Sequence, residues 1–93
     1  MGVRRVRITK LTSAGSIKAS AGVLLWINVS NTTGNGLKVI LNNATSGTGS
    51  EIMQIGVPGD DSKFLAFPAE FYFSTGIYCG TLEAGLVVTG GYY

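Results

Sequence analysis

The chain has no histidine, and its one cysteine is Cys79. These two shortages exclude an intramolecular disulfide and the His/Cys ligand sets of the familiar structural zinc sites. They also remove the base that a catalytic thiol most often uses, so Cys79, between Tyr78 and Gly80 in a strand-like run, reads as a small buried packing residue. Charge is scarce as well: 13% of the residues are Asp, Glu, Lys or Arg, against about 25% in an average soluble domain. Of the five carboxylates, Glu51, Glu70 and Glu83 are isolated, and no spacing suggests the paired carboxylates of a hydrolase. Asp60 and Asp61 are neighbours, but adjacent side chains in an extended loop diverge, so a solvated loop is a better reading than a site for a hard cation. We therefore expect no enzyme, no metal and no cofactor.

Long hydrophobic runs are missing too. The longest unbroken candidate, residues 23–27, falls far short of the roughly 20 apolar residues that a membrane helix needs, and we expect no membrane association. The opening MGVRRVRITK is basic without an apolar stretch or a small-residue cleavage site, which points to folding in the cytoplasm with Cys79 reduced. Without secretion, the acceptor patterns at Asn28, Asn31 and Asn43 are chance products of an Asn/Thr-rich chain.

What is present is apolar and glycine-rich: 45% hydrophobic residues and 14 glycines in 93 residues. This length makes one domain, residues 1–93, which buries only about 60–65% of the surface exposed by its unfolded chain. With disulfide and zinc excluded, oligomerisation is the remaining device for added stability. So few charges also suit a chain packed against copies of itself or a large partner.

No window sustains a helical apolar period, whereas short runs of strand character recur with turn signals between them. Residues 3–10 alternate, with Arg5, Arg7 and Thr9 on one face and Arg4, Val6, Ile8 and Lys10 on the other, as a half-buried strand or basic arm. Residues 15–20 give a second strand with Ile17 inward. The run VLLWINVSN gives a buried third, in which Trp26 is a core or interface anchor. Asn35-Gly36 predicts a tight type I′ hairpin into a fourth strand over residues 37–42, which ends in the loop NNATSGTGS. Residues 51–57 lead to Pro58-Gly59, suited to a type II turn. Residues 63–68, 71–74, 77–82 and 86–93 supply the rest. The expected fold is an all-β sandwich of eight or nine short antiparallel strands, jelly-roll-like.

Three segments carry a resemblance: GSIKASAGVL (residues 15–24), NTTGNGLKVILNNATSGTG (31–49) and FSTGIYCG (73–80). Together they resemble a group of small virion structural proteins of tailed bacteriophages. The resemblance implies a β-sandwich that decorates or cements the outside of the capsid as a symmetric dimer or trimer, with the major capsid protein and its own copies as partners. A neck or tail component, and a carbohydrate- or receptor-binding module of a tail or head fibre, are the alternatives.

The contact residues expected on this reading fall in three places. Arg4, Arg5, Arg7 and Lys10 form a charged edge that discourages stray sheet pairing and could dock on an acidic capsid patch through bidentate contacts. A net charge of +2 and the lack of interleaved aromatics argue against nucleic acid. Asn43 and Thr45 belong to the polar loop. Tyr92 and Tyr93, beyond the Gly90-Gly91 pair, would be freed for a neighbour. The aromatics Trp26, Tyr72, Tyr78, Tyr92 and Tyr93 could alternatively make a sugar-stacking platform, though packing is their commoner use.

Overall fold

The computed structural model describes residues 5–47 and 49–93, apart from the side chain of Glu70. Among them run eight strands and no helix: β1 Arg7–Leu11, β2 Gly15–Lys18, β3 Gly22–Asn31, β4 Leu37–Asn43, β5 Glu51–Val57, β6 Asp61–Phe73, β7 Ile77–Leu82 and β8 Leu86–Tyr92. They pair antiparallel into two four-stranded sheets, ordered β1-β8-β3-β6 and β2-β7-β4-β5. That order is the eight-stranded jelly roll, in which nearly every connection passes from one sheet to the other. Only β4 and β5 are joined as a hairpin, closed by the Asn43 amide donating to the Ser50 carbonyl at 2.8 Å.

Alternation along each strand fills the space between the sheets. Leu24, Ile27, Val29 and Val88 of the first sheet meet Val39, Leu41, Ile77 and Cys79 of the second, and all eight are fully buried. Phe73 is the largest fully buried side chain among the described residues, and the ring of Phe71 tilts against it at 5.0 Å between centroids. Taking such side chains out of water stabilises the fold by about 1.5–3 kcal/mol each.

Several local expectations need correction. Asn35-Gly36 does not make a hairpin, since β3 and β4 lie in different sheets, and neither residue has positive φ. Residues 32–36 span the gap between layers, a distance too great for a two-residue turn. Pro58-Gly59 is likewise a crossing between sheets. Asp60 takes the left-handed conformation there, at φ 54°, and its amide donates to the Thr33 carbonyl at 2.7 Å. Gly59 owes its place to close approach, because a Cβ there would stand 2.5 Å from the Gly34 carbonyl group. Residues 63–68 and 71–74 are one strand, β6. Between Ala66, which pairs with Trp26, and Phe71, which pairs with Leu24, the chain bulges out over 67–70. The bulge accommodates Pro68, on an edge strand where its missing N–H breaks no ladder.

The corner where these crossings meet is held by one side chain. Asn31, 2% exposed, donates its Nδ2 to the carbonyls of Asn35, Val57 and Pro58 at 2.8, 3.2 and 3.1 Å. Its Oδ1 accepts from the Thr33 amide and hydroxyl at 2.9 and 2.7 Å. A buried amide thus bonds carbonyls of both crossing segments at once.

Candidate functional site

The most unusual surface of the molecule is the outer face of the β1-β8-β3-β6 sheet. Strand register decides which residues lie on it. Arg7 pairs with Tyr92, which points into the core, so Val6, Ile8 and Lys10 point outward. One row across the sheet runs from Val6 past Tyr93 and Val23 to Tyr72, with Tyr93 and Val23 exchanging two backbone hydrogen bonds at 2.9 and 3.0 Å. The next row is Ile8, Gly91, Trp26 and Ala66, and the third is Lys10, Thr89, Asn28 and Phe64. No side chain of the first two rows is charged.

This face is apolar and open. Ile8 is 65% exposed, Tyr72 63%, Phe64 60% and Val6 53%. Trp26 lies half-buried at the centre with Phe64 tilted against it at 5.8 Å. Gly91 makes this possible, because a Cβ on that residue would collide with the indole. Ala66 is small for the same row, so the centre is flat, with bulk at the two edges. The outer face of the opposite sheet differs in kind, with exposed Lys38 and Gln54 among its residues.

The residues expected from sequence divide into two groups. Arg5, Arg7 and Lys10 are all exposed along the β1 edge, beside the apolar face; Arg4 lies outside the described residues. Tyr92 is placed differently from expectation. β8 runs without a break through Gly90 and Gly91, and Tyr92 is 8% exposed with its hydroxyl 2.8 Å from Thr9 Oγ1. It belongs to the core and is not free for a neighbour. Tyr93 is half-buried and tied to Val23.

Asn43 ends β4 of the other sheet, and Thr45 lies in the loop that follows. Asn43 is a structural clamp: its Nδ2 donates to Ser74 Oγ at 2.9 Å and its Oδ1 accepts from the amides of Thr75 and Gly76 at 2.8 and 3.4 Å. Thr45 has an exposed side chain, and its carbonyl accepts from Ser16 Oγ at 3.3 Å. The register still brings the groups to one end of the sandwich. Leu24 pairs with Tyr92, Gly22 with Phe73, and residues 74–76 with Asn43.

Nothing chemically reactive gathers elsewhere among the described residues. Cys79 is buried, and burial pushes its thiol up to about 11, which leaves it protonated and unreactive at neutral pH. At the opposite end a shallow cleft of about 370 Å³ is lined by Ser30, Asn31, Thr32, Asp60, Asp61 and Ser62. Asp61 accepts the Ser62 amide at 2.8 Å, Asn31 is already saturated, and no group of three metal-ligating side chains occurs among the described residues. Comparisons with protein-family models, curated proteins and solved structures find no match to the chain.

The sequence singled out Trp26 and Tyr72 but not Val6, Ile8 or Phe64 as surface. The available signal was Val6 and Ile8 sharing a face with Lys10, which a core-facing stripe would not do.

Proposed function

We propose that this protein is a non-enzymatic virion structural protein that decorates or cements a tailed-phage capsid from outside as a symmetric oligomer. The observation that carries the reading is the apolar sheet face, two rows of which hold no charged side chain, bordered by the exposed Arg5, Arg7 and Lys10. A small monomer gains nothing from holding two aromatic and two aliphatic side chains in water, whereas an assembly unit gains area when they are covered. The basic edge supplies the second contact, to an acidic patch on the major capsid protein, where Arg recognises carboxylates bidentately. A copy that bridges neighbouring subunits stabilises the assembled shell over free subunits by linkage, and repetition multiplies a modest contact energy.

The test is compositional and mechanical. Purified particles should carry the protein in fixed proportion to the capsid subunit, and shells lacking it should burst at lower temperature and under milder osmotic shock. Particles without the protein, or equal resistance with and without it, would refute the cement role.

A second reading draws on the exposed rings of Phe64 and Tyr72, which suit stacking against a sugar in a receptor-binding module. It requires a glycan-array signal that disappears in Phe64→Ala.

A further inference from the structure

The apolar face has a shape and a charge pattern that specify its occupant. We propose that it is covered by the same face of a second copy of this chain, in an isologous pair with a two-fold axis parallel to the strands. The inference deepens the oligomer part of the reading above and rests on it only in treating this face as one to be covered.

Charge is the first argument. The rows through Val6, Tyr93, Val23 and Tyr72 and through Ile8, Gly91, Trp26 and Ala66 hold no ionisable Asp, Glu, Lys or Arg. An isologous contact sets every residue against the same surface, so any charge at its centre would meet like charge. A neutral face has no such penalty, while Lys10, in the third row on the β1 edge, falls at the rim. A highly charged partner would gain nothing here that the basic edge does not offer it better.

Area is the second argument. The exposed parts of Val6, Ile8, Phe64 and Tyr72 amount to on the order of 500 Å² per copy, so two copies bury on the order of 1,000 Å², the lower bound for a specific interface. Trp26 and Ala66 add to this. The four side chains lie within one contiguous face, so a flat partner of the same width covers them together.

Relief is the third. Sheets pack face to face about 10 Å apart with strands roughly aligned. The aromatic bulk lies on the β6 edge, with Phe64 and Tyr72, and the smaller aliphatic residues lie on the β1 edge, with Val6 and Ile8. Rotation about an axis along the strands places β6 of one copy over β1 of the other. Each row then faces the same row of the partner: Tyr72 seats against Val6, the small Ala66 against Ile8 and the Phe64 ring against the stem of Lys10, and the two Trp26 indoles meet across the flat centre made by Gly91 and Ala66.

The experiment is light scattering coupled to size exclusion on the full chain at tens of micromolar, a concentration that holds a micromolar dimer. The expected mass is twice 9.7 kDa. Ala66→Asp and, separately, Ile8→Lys should each run as a monomer, with dissociation at least ~30-fold easier, as for central interface residues. Both must keep the wild-type β circular-dichroism spectrum and a single melting transition; if one variant unfolds, the other, on a different strand, decides. Lys38→Glu on the opposite sheet should leave the mass unchanged. Mixing Ile8→Lys with Ala66→Asp should restore a heterodimer, because the axis places position 8 of one copy over position 66 of the other. A monomeric wild type, variants that keep the wild-type mass, or no heterodimer on mixing would overturn the proposal. No capsid enters the assay, so a dimer that fails to bind particles refutes the cement role alone, and a monomer that decorates particles refutes the pairing alone.

Discussion

Replacing Asn31 by Asp keeps the shape of the side chain and removes both of its donors, at the point where two crossing segments meet. The amide faces the carbonyls of Asn35, Val57 and Pro58 within 3.2 Å, and a carboxylate would bring a negative oxygen to that distance from three others. Asn31→Ala simply deletes the contacts. The crossing segments lose the amide that bridges them, so the loss is about 3 kcal/mol, from three net hydrogen bonds at about 1 kcal/mol each. For a domain of this size that lowers Tm by roughly 10–25 °C. Asn31→Asp should cost more than Asn31→Ala at neutral pH, because it adds a buried charge lacking a counter-ion.

The pH dependence separates this account from a generic packing defect. In the Asp variant the folded state disfavours the ionised form, so the folded pKa lies above the unfolded value of about 3.9. Between the two values the folded state binds more protons, and stability falls as pH rises through that window. Thermal melts of wild type, Asn31→Ala and Asn31→Asp from pH 7 to pH 4 should show the Asp deficit shrinking toward acid while the Ala deficit stays level. An Asp variant that melts above the Ala variant at pH 7, or whose deficit does not change with pH, would refute the donor assignment.

Three further outcomes are expected. Removing Tyr92 and Tyr93 takes away a core side chain, its hydroxyl contact with Thr9 and the two bonds to Val23, so differential scanning calorimetry should register a large loss of folding stability rather than a loss of assembly alone. Gly91→Ala should push the indole off the sheet at a cost of about 1–3 kcal/mol; Trp26 is the sole tryptophan, so its emission should change together with Tm. Cys79, with its thiol raised to about 11 by burial, favours the protonated folded state: its contribution is complete below the unfolded thiol pKa of about 8.5 and is lost as pH rises toward 11. Wild type should therefore lose stability relative to Cys79→Ala over that interval, and a thiol reagent at pH 8 should label Cys79 only after unfolding in urea.

The all-β, jelly-roll-like class and most of the strands were legible because each strand writes its own alternation. What alternation leaves open is which parity faces the core. Residues 5–10 show this: by composition alone Val6 and Ile8 belong inside and Arg5 and Arg7 outside, yet the pairing of Arg7 with Tyr92 turns Ile8 outward. Arg7 is accommodated because β1 is an edge strand, where the inward side opens to solvent. Tyr92 failed for the opposite reason, since Gly90-Gly91 reads as a break but serves to let Trp26 cross β8. Asn35-Gly36 carries the local signature of a hairpin and lies in a crossing between layers, a choice made by long-range pairing that no four-residue window contains.

The shortage of charge can also be located. If the 13% charged residues were spread evenly, both outer faces of the sandwich would carry them. Instead Lys38, Asp60 and Asp61 are exposed on or beside other elements, Arg5, Arg7 and Lys10 line one edge, and two complete rows of the β1-β8-β3-β6 sheet carry none. The composition is therefore not that of a weakly charged surface throughout. It is that of a normally polar domain from which one face has been withheld, and on that face Gly91 and Ala66 keep the centre flat around Trp26. Loss of side-chain bulk there weakens the sheet's own packing, since Gly in a strand interior costs about 0.5–1 kcal/mol relative to Ala. On the pairing proposed above, a flat, aromatic-edged face that lowers the stability of the isolated chain gains that cost back when covered.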